Sequence, residues 1–447
     1  MLSPSILSRL REPRALPATI GTLGLFLFAF GTLDGAGAAN IGLGLMLVGL
    51  IARSLVEPHG FRADPLLVLV ALYLLYLAAR TALAWDAAPD PGALRWGANR
   101  WGLAVFVPLG LVAAWAAPDR QALPLLGVSL AGLLYRVAVH VEPEKLAGIA
   151  EGWGRATFGS SATKMGLWAA VVLLGVLCFA PRVLALPPRR PSTWALAALG
   201  TAVAVLAAAG LVYAKARMAW VAAAVVIPTT VAWLALRDRR PATLGTLGAV
   251  SLLGLAVVGL SWDVVAERLA AEGSTLYGLL SGSLAELPPD SVGLHAAMYQ
   301  RFGEVWLQHP LLGWGPGASR WLIASSPLTM LHDKGFVHFH NTPLTILAEL
   351  GLFGLALFVA LAVLVASSML RASRAGLVPR DVLAFLVGTL LLIALAGMTD
   401  DVVFTRHGSY FTGLVAGLAY AAGRTGIPGA RGRIAHPRVR GPADQRR

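Results

Sequence analysis

Apolar runs of about 20 residues, each long enough to cross a bilayer, repeat along this chain with short polar breaks between them. The pattern predicts about twelve transmembrane helices. They fall over 17–33, 38–54, 64–82, 98–117, 121–137, 164–182, 192–213, 217–236, 242–262, 341–369, 381–399 and 408–423. Gly31, Gly35 and Gly37 blur the break between the first two, and the fifth is short. The expected fold class is an all-α polytopic membrane protein. Residues 1–262 would hold transmembrane helices 1–9 and residues 341–423 helices 10–12. Between them, 263–340 forms one large loop, and 424–447 is a basic tail, rich in Gly and Pro, expected to be disordered.

Within the large loop the period changes. Val265, Leu269, Leu276, Leu280 and Leu284 recur near helical spacing, with Glu267, Arg268 and Glu272 between them. That pattern fits a helix on the bilayer surface or an ordinary packed loop helix. A second helix is expected over Gly293–Gln308, with Met298, Phe302, Val305 and Trp306 on one face. His295 and Tyr299 share another face, one turn apart. Pro310, Gly313, Gly315, Pro316 and Gly317 then enforce tight turns.

Composition agrees with a membrane protein: 57% of residues are hydrophobic and 13% charged, where a soluble domain carries roughly 25% charged. A net charge of +13 raises the question of nucleic acid, but its distribution argues against that. The basic residues gather in short loops and in the tail, as orientation signals do. Placing both termini in the cytoplasm leaves that side strongly positive and the outer side slightly negative, with 263–340 outside. The start, MLSPSILSRLREPRALP, is too basic and too broken by proline for a secretory signal peptide. A single cysteine, Cys178, excludes an intrachain disulfide and a thiolate zinc site.

Motifs of soluble enzymes are absent: there is no GxxxxGK, HExxH or GxSxG. Asp86 with Asp90, and Asp400 with Asp401, lack a third ligand in sequence, so no metal and no cofactor is expected. His338 and His340 stand two apart, just before the tenth span. In an extended segment they point the same way, and a neutral imidazole there can take a proton from a hydroxyl. The same residues also fit a plain helix start, with Asn341 as cap and Pro343 behind it. Arg80 and Arg136 end outward-running spans, and Lys215 and Arg217 occupy a sharp outer turn, YAKARMAW. Cations in tight outer turns run against the orientation rule. They fit either snorkelling and ion pairing or the grip of a phosphate group. Taken together, a histidine base and an arginine clamp suit a lipid pyrophosphate presented at the outer face. Glu349, inside the tenth span, reads equally as a functional acid or as a bond to a neighbouring helix. Arg406 with Asp401 reads first as a structural ion pair.

Three segments resemble the O-antigen ligase and polymerase superfamily: KARMAW around Lys215–Arg217, HPLLGWGPG at His309–Gly317, and HFHNTPLTILAELGLFGL at His338–Leu355. The resemblance implies a membrane-embedded glycosyltransferase of the C type in a Gram-negative inner membrane. Its large loop is periplasmic, its donor an undecaprenyl-pyrophosphate-linked glycan, and its acceptor, in ligases, a sugar of lipid A–core. Membrane lipids are the other expected partners and nucleic acid is not one. Nothing in the sequence sets the oligomeric state, and a monomer is compatible with it. The implied transfer is inverting and metal-independent. The catalytic roles map onto His338 as base, His340 as its neighbour, and Arg217. Arg80, Arg136, Lys215, Arg301, Tyr299, His295 and Asn341 are the expected pyrophosphate- and glycan-binding residues. Two departures stand out. Lys215-Ala216 replaces the family's small polar residue, and His295 stands where many members carry an arginine, with Arg301 on the same helix as a substitute.

One large outer loop favours a ligase over a polymerase, which divides its outer mass between two loops. Transfer of glycan to protein hydroxyls is a further alternative. A lipid-linked sugar transporter would call for internal repeats with matched broken spans, and the two halves show no such repeat.

Overall fold

The structure is a computed structural model. It describes residues 15–33, 36–56, 64–151, 154–187, 191–238 and 290–424, with scattered positions between 245 and 270. Apart from those scattered positions, the expected span 242–262, the amphipathic pattern at 264–284 and the basic tail lie outside the described residues.

Every described element is helical. In chain order they are α1 (Ala15–Gly31), α2 (Ala36–Val56), α3 (Pro65–Ala84), α4 (Pro91–Gly102), α5 (Phe106–Trp115), α6 (Pro118–His140), α7 (Pro143–Ala150), α8 (Ala162–Leu184), α9 (Pro191–Tyr213) and α10 (Arg217–Asp238). There follow α11 (Ser291–Trp306), α12 (Ala318–Ala324), a 3-10 turn (Thr329–Lys334), α13 (Thr342–Arg374), α14 (Arg380–Ala396) and α15 (Arg406–Arg424). Among the described residues, 8 helical segments are long and apolar enough to cross a membrane. The protein is an all-α polytopic membrane protein.

Local sequence explains many helix starts. Pro65, Pro91, Pro118, Pro143 and Pro191 open their helices, where a missing N–H costs nothing. Asp64 and Asp90 cap α3 and α4 by accepting from Leu66 N at 2.9 Å and Ala93 N at 3.0 Å. The span expected over 98–117 is one crossing segment, Pro91–Trp115, that starts earlier and is built of two helices, α4 and α5, broken at 103–105. Its first part was hidden because Arg95 and Arg100 interrupt the apolar pattern.

The outer helices turn long apolar side chains away from the protein, with Leu75 68%, Leu206 69% and Leu236 75% exposed. Such faces fit lipid and not water. The centre is α15, whose residues from Gly408 to Gly423 are all buried. Small residues let it approach its neighbours, as is usual where lipid supplies no hydrophobic drive between helices. Gly413 lies on Pro108, Gly417 on Val112 and Gly423 on Ser368. At one end, Asp64 pairs with Arg424 at 2.7 Å and accepts from Tyr420 at 2.6 Å, while Arg182 forks onto Asp381. The histidines lie at the opposite end.

Candidate functional site

Helix α13 is broken, and the break organises the site. Gly351 has φ 64° and ψ −168°, a conformation that glycine alone adopts without strain. The helical ladder stops there, and the chain at Pro310–Gly315 takes over the freed groups. Trp314 N donates to Ala348 O at 2.8 Å, Gly315 N to Glu349 O at 2.9 Å, and Leu352 N to Pro310 O at 3.0 Å. This is the HPLLGWGPG segment. Arg80 holds it from α3, donating from Nε to Leu312 O and from Nη2 to Gly313 O, both at 2.8 Å.

Glu349 anchors the same segment. Its side chain is fully buried, yet both oxygens are used. Oε2 accepts from Trp101 Nε1 and Gly317 N, each at 2.6 Å, and Oε1 from Ser319 N at 3.3 Å. A buried carboxylate is tolerated when such donors surround it. Gly317 in turn lies flat against Gly97 of α4, with no space for a Cβ on either. Glu349 thus joins α4, α12 and α13.

The start of α13 is stitched to the turn after α14. Asn341 Oδ1 accepts from Leu344 N at 3.1 Å, the expected cap, while its Nδ2 donates to Met398 O at 2.6 Å. Thr342 N donates to Gly397 O at 2.7 Å and its hydroxyl to Asp401 Oδ1 at 3.0 Å. These bonds deliver Asp400 to the histidines: its Oδ1 lies 3.5 Å from His340 Nδ1.

The two histidines differ. His338 Nδ1 accepts from His340 N at 3.2 Å, which places its proton on Nε2. Burial lowers the His338 pKa to about 3, with the His340 charge adding to the effect, so the ring stays neutral. His340 has φ 49° and its side chain is 27% exposed. With Nδ1–H turned to Asp400, its Nε2 carries a lone pair. Burial raises the Asp400 pKa, but the opposing contacts, first the hydrogen bond from His340, outweigh it and hold the carboxyl below its ordinary range. Asp401, fully buried, is pushed up to about 7 by burial; it accepts from Thr342 and Phe404 N, and not from Arg406 as the sequence led us to expect.

A set of cations faces this group. The charge of Lys164, in the first turn of α8, acts on both His338 and Asp400, and those of Arg100 and Arg136 act on Lys164. Arg100 stacks on Trp96 at 5.2 Å, Trp96 meets Phe404 at 5.3 Å, and Phe404 meets His338 at 6.2 Å. Arg406 acts on Arg100. Of these, only Arg136 figured among the expected site residues. Lys164 was missed because one lysine at a span start looks like an ordinary anchor. Arg100 carried a usable signal, as an arginine inside an apolar run.

The other expected residues are placed as follows. His295 meets His340 ring to ring at 5.5 Å, with Nε2 3.1 Å from Thr399 O, and Tyr299 donates to Met398 O at 3.2 Å. Both dock α11 beside Asp400. Arg301 turns away, onto Leu322 O at 3.0 Å, Glu304 at 3.1 Å and Ser325 at 3.3 Å. Arg136 donates to the carbonyls of Phe158 and Gly159. The Lys215–Arg217 turn has Lys215 at φ 49° and is capped by Arg155, which donates to Ala214 O and Lys215 O at 3.1 Å. Its alanines pack on Gly166 of α8, two residues beyond Lys164.

A family model described as O-antigen ligase matches residues 202–359. The matched span takes in Lys215, Arg217, the HPLLGWGPG segment, both histidines and Glu349; it leaves out Arg80, Arg100, Arg136, Lys164 and Asp400. Over those matched residues the chain is similar to the O-antigen ligase family, which supports membership of the O-antigen ligase/polymerase superfamily, whose members are glycosyltransferase-like enzymes.

Proposed function

We propose that the protein is an O-antigen ligase of a Gram-negative inner membrane. It transfers a glycan from undecaprenyl pyrophosphate to a hydroxyl of lipid A–core, with the termini in the cytoplasm and the histidines in the periplasm. The observation that carries the reading is His340, held by Asp400 at 3.5 Å at the mouth of a cationic end of the helix bundle. His340, and not His338, is the base. The Nδ1 lone pair of His338 is occupied by a backbone N–H, whereas His340 keeps Nε2 for the acceptor.

In the step we infer, the acceptor oxygen bonds to the anomeric carbon as the bond from that carbon to the pyrophosphate oxygen breaks. The acceptor proton passes to His340 Nε2, and Asp400 steadies the imidazolium that forms. Undecaprenyl pyrophosphate leaves with the electron pair of the broken bond, so its phosphates carry one negative charge more than in the donor. Lys164, Arg100 and Arg217 supply cations for it, Arg217 through the family's arginine turn. Pyrophosphate is already a good leaving group, so the step requires no divalent cation.

Complementation tests the reading. In a Gram-negative strain lacking its own ligase, expression of this chain should restore long O-antigen on lipid A–core. Stable, membrane-inserted protein with no such product would overturn the ligase assignment. Longer glycan left on the lipid carrier would identify a polymerase instead.

A further inference from the structure

His338, His340 and Asp400 form a cluster with a second capacity. One ligand atom from each lies within 4.8 Å of the other two. Donors on a tetrahedral zinc, bonded at about 2.0–2.1 Å, sit about 3.4 Å apart. The His340–Asp400 pair, at 3.5 Å, already meets that spacing. The imidazole rings of His338 and His340 are 4.4 Å apart, because φ 49° at His340 folds the backbone so that both rings face the same turn. From sequence, Asp400 lacked a third ligand; the fold brings it two histidines from about 60 residues away.

We propose that these three side chains bind a single divalent cation of the zinc class, and that its binding shuts off the proton transfer. Two imidazoles and one carboxylate match zinc and cobalt better than magnesium or calcium, which prefer all-oxygen sites. Three protein ligands leave a fourth position for water, as in open zinc sites. Lys164, Arg100 and Arg136 oppose a dication, and the backbone N–H of Asp401 donates to Asp400 Oδ1 at 2.8 Å.

Inhibition follows from proton counting. A neutral imidazole has one N–H and one lone pair. If His340 binds the metal through Nδ1, its proton moves to Nε2, and that nitrogen can no longer accept. If it binds through Nε2, the lone pair is already engaged. Either way the base is lost; His338 in turn binds through Nε2 only with its own proton moved to Nδ1, which gives up the hydrogen bond from His340 N. The inhibition rests on His340 as base; the binding does not.

The test uses tag-free, full-length protein in lipid nanodiscs, titrated with Co2+ and then with Zn2+. A visible band of tetrahedral cobalt should rise to one equivalent and be displaced by zinc. His338→Gln and Asp400→Asn should each weaken zinc binding at least tenfold, and should melt as the wild type does without metal. If one variant misfolds, the other is read. No stoichiometric binding, or equal binding by wild type and both variants, overturns the site. Glycan transfer should fall in step with zinc occupancy and return with a chelator. Transfer that continues on fully zinc-loaded protein overturns the inhibition and His340 as base, while the cobalt band keeps the site itself. Absence of the band with transfer dependent on His340 overturns only the metal site.

Discussion

Two polar side chains bracket the first turns of α13, and they use their bonding capacity in opposite ways. Glu349 is buried and receives three donors from α4, α12 and the turn before it. Its valence is spent inside the protein, so its effect on chemistry is positional. His340 is part exposed, with one partner at 3.5 Å and one ring nitrogen left over. A saturated group builds a scaffold, and an unsaturated one at a mouth does chemistry. That difference separates residues that the sequence alone could only collect together.

The comparison breaks first at His340. His340→Ala should lower transfer by about 10²–10⁴, the usual range for a general base, with little change in melting temperature. His338→Ala should cost less rate and more stability, since that ring fills a largely buried place. A larger rate loss at His338 than at His340, measured in purified folded protein, would reverse the assignment of the base.

Glu349→Gln should show the opposite profile. The amide keeps the volume but turns N–H groups toward N–H donors. A buried donor left without a partner costs about 1–3 kcal/mol; with the amide oxygen kept on Trp101 and Gly317, Ser319 N is the donor that loses its acceptor. Thermal unfolding in micelles should drop sharply, and transfer should disappear only with the fold. A variant that melts normally but is inactive would show that Glu349 acts in the reaction.

Much of the architecture was legible because its signals are local. Apolar length marked the helices, and Asn341 with Pro343 marked the start of α13. The HPLLGWGPG turn was legible too, through its glycines and prolines. Its docking into the break at Gly351 was not, since Gly351 looks like any other glycine in an apolar run. The pairing of His340 with Asp400 was invisible for a different reason. It depends on Asn341 and Thr342 bonding to the backbone at 397–398, a contact between distant segments that leaves no spacing pattern. Arg80 was read as part of a phosphate clamp, whereas the structure shows it holding two carbonyls.

The cations sharpen the comparison further. Lys164→Met should raise the KM for the lipid-pyrophosphate donor by about tenfold or more, because a charge-assisted bond contributes about 1.5–3 kcal/mol. Arg80→Met should move the melting temperature more than the KM, since its donors already serve Leu312 and Gly313. Equal KM effects from both variants would place Arg80 back among the substrate ligands.

The smallest effect belongs to Tyr299, expected from sequence as a glycan ligand. Its hydroxyl donates to Met398 O at 3.2 Å across a partly exposed contact. One such neutral bond is worth about 0.5–1.5 kcal/mol. Met398 O also accepts from Asn341, so the carbonyl keeps a partner when the hydroxyl is removed. Tyr299→Phe should therefore cost stability near the low end of that range. The ring remains beside His295, at 6.2 Å, and continues to dock α11 on the turn that carries Asp400. If docking is its whole role, kcat and both KM values should stay close to wild type. A selective rise in the KM for the acceptor, with melting unchanged, would instead make Tyr299 a sugar-contacting residue and extend the working site from His340 onto α11.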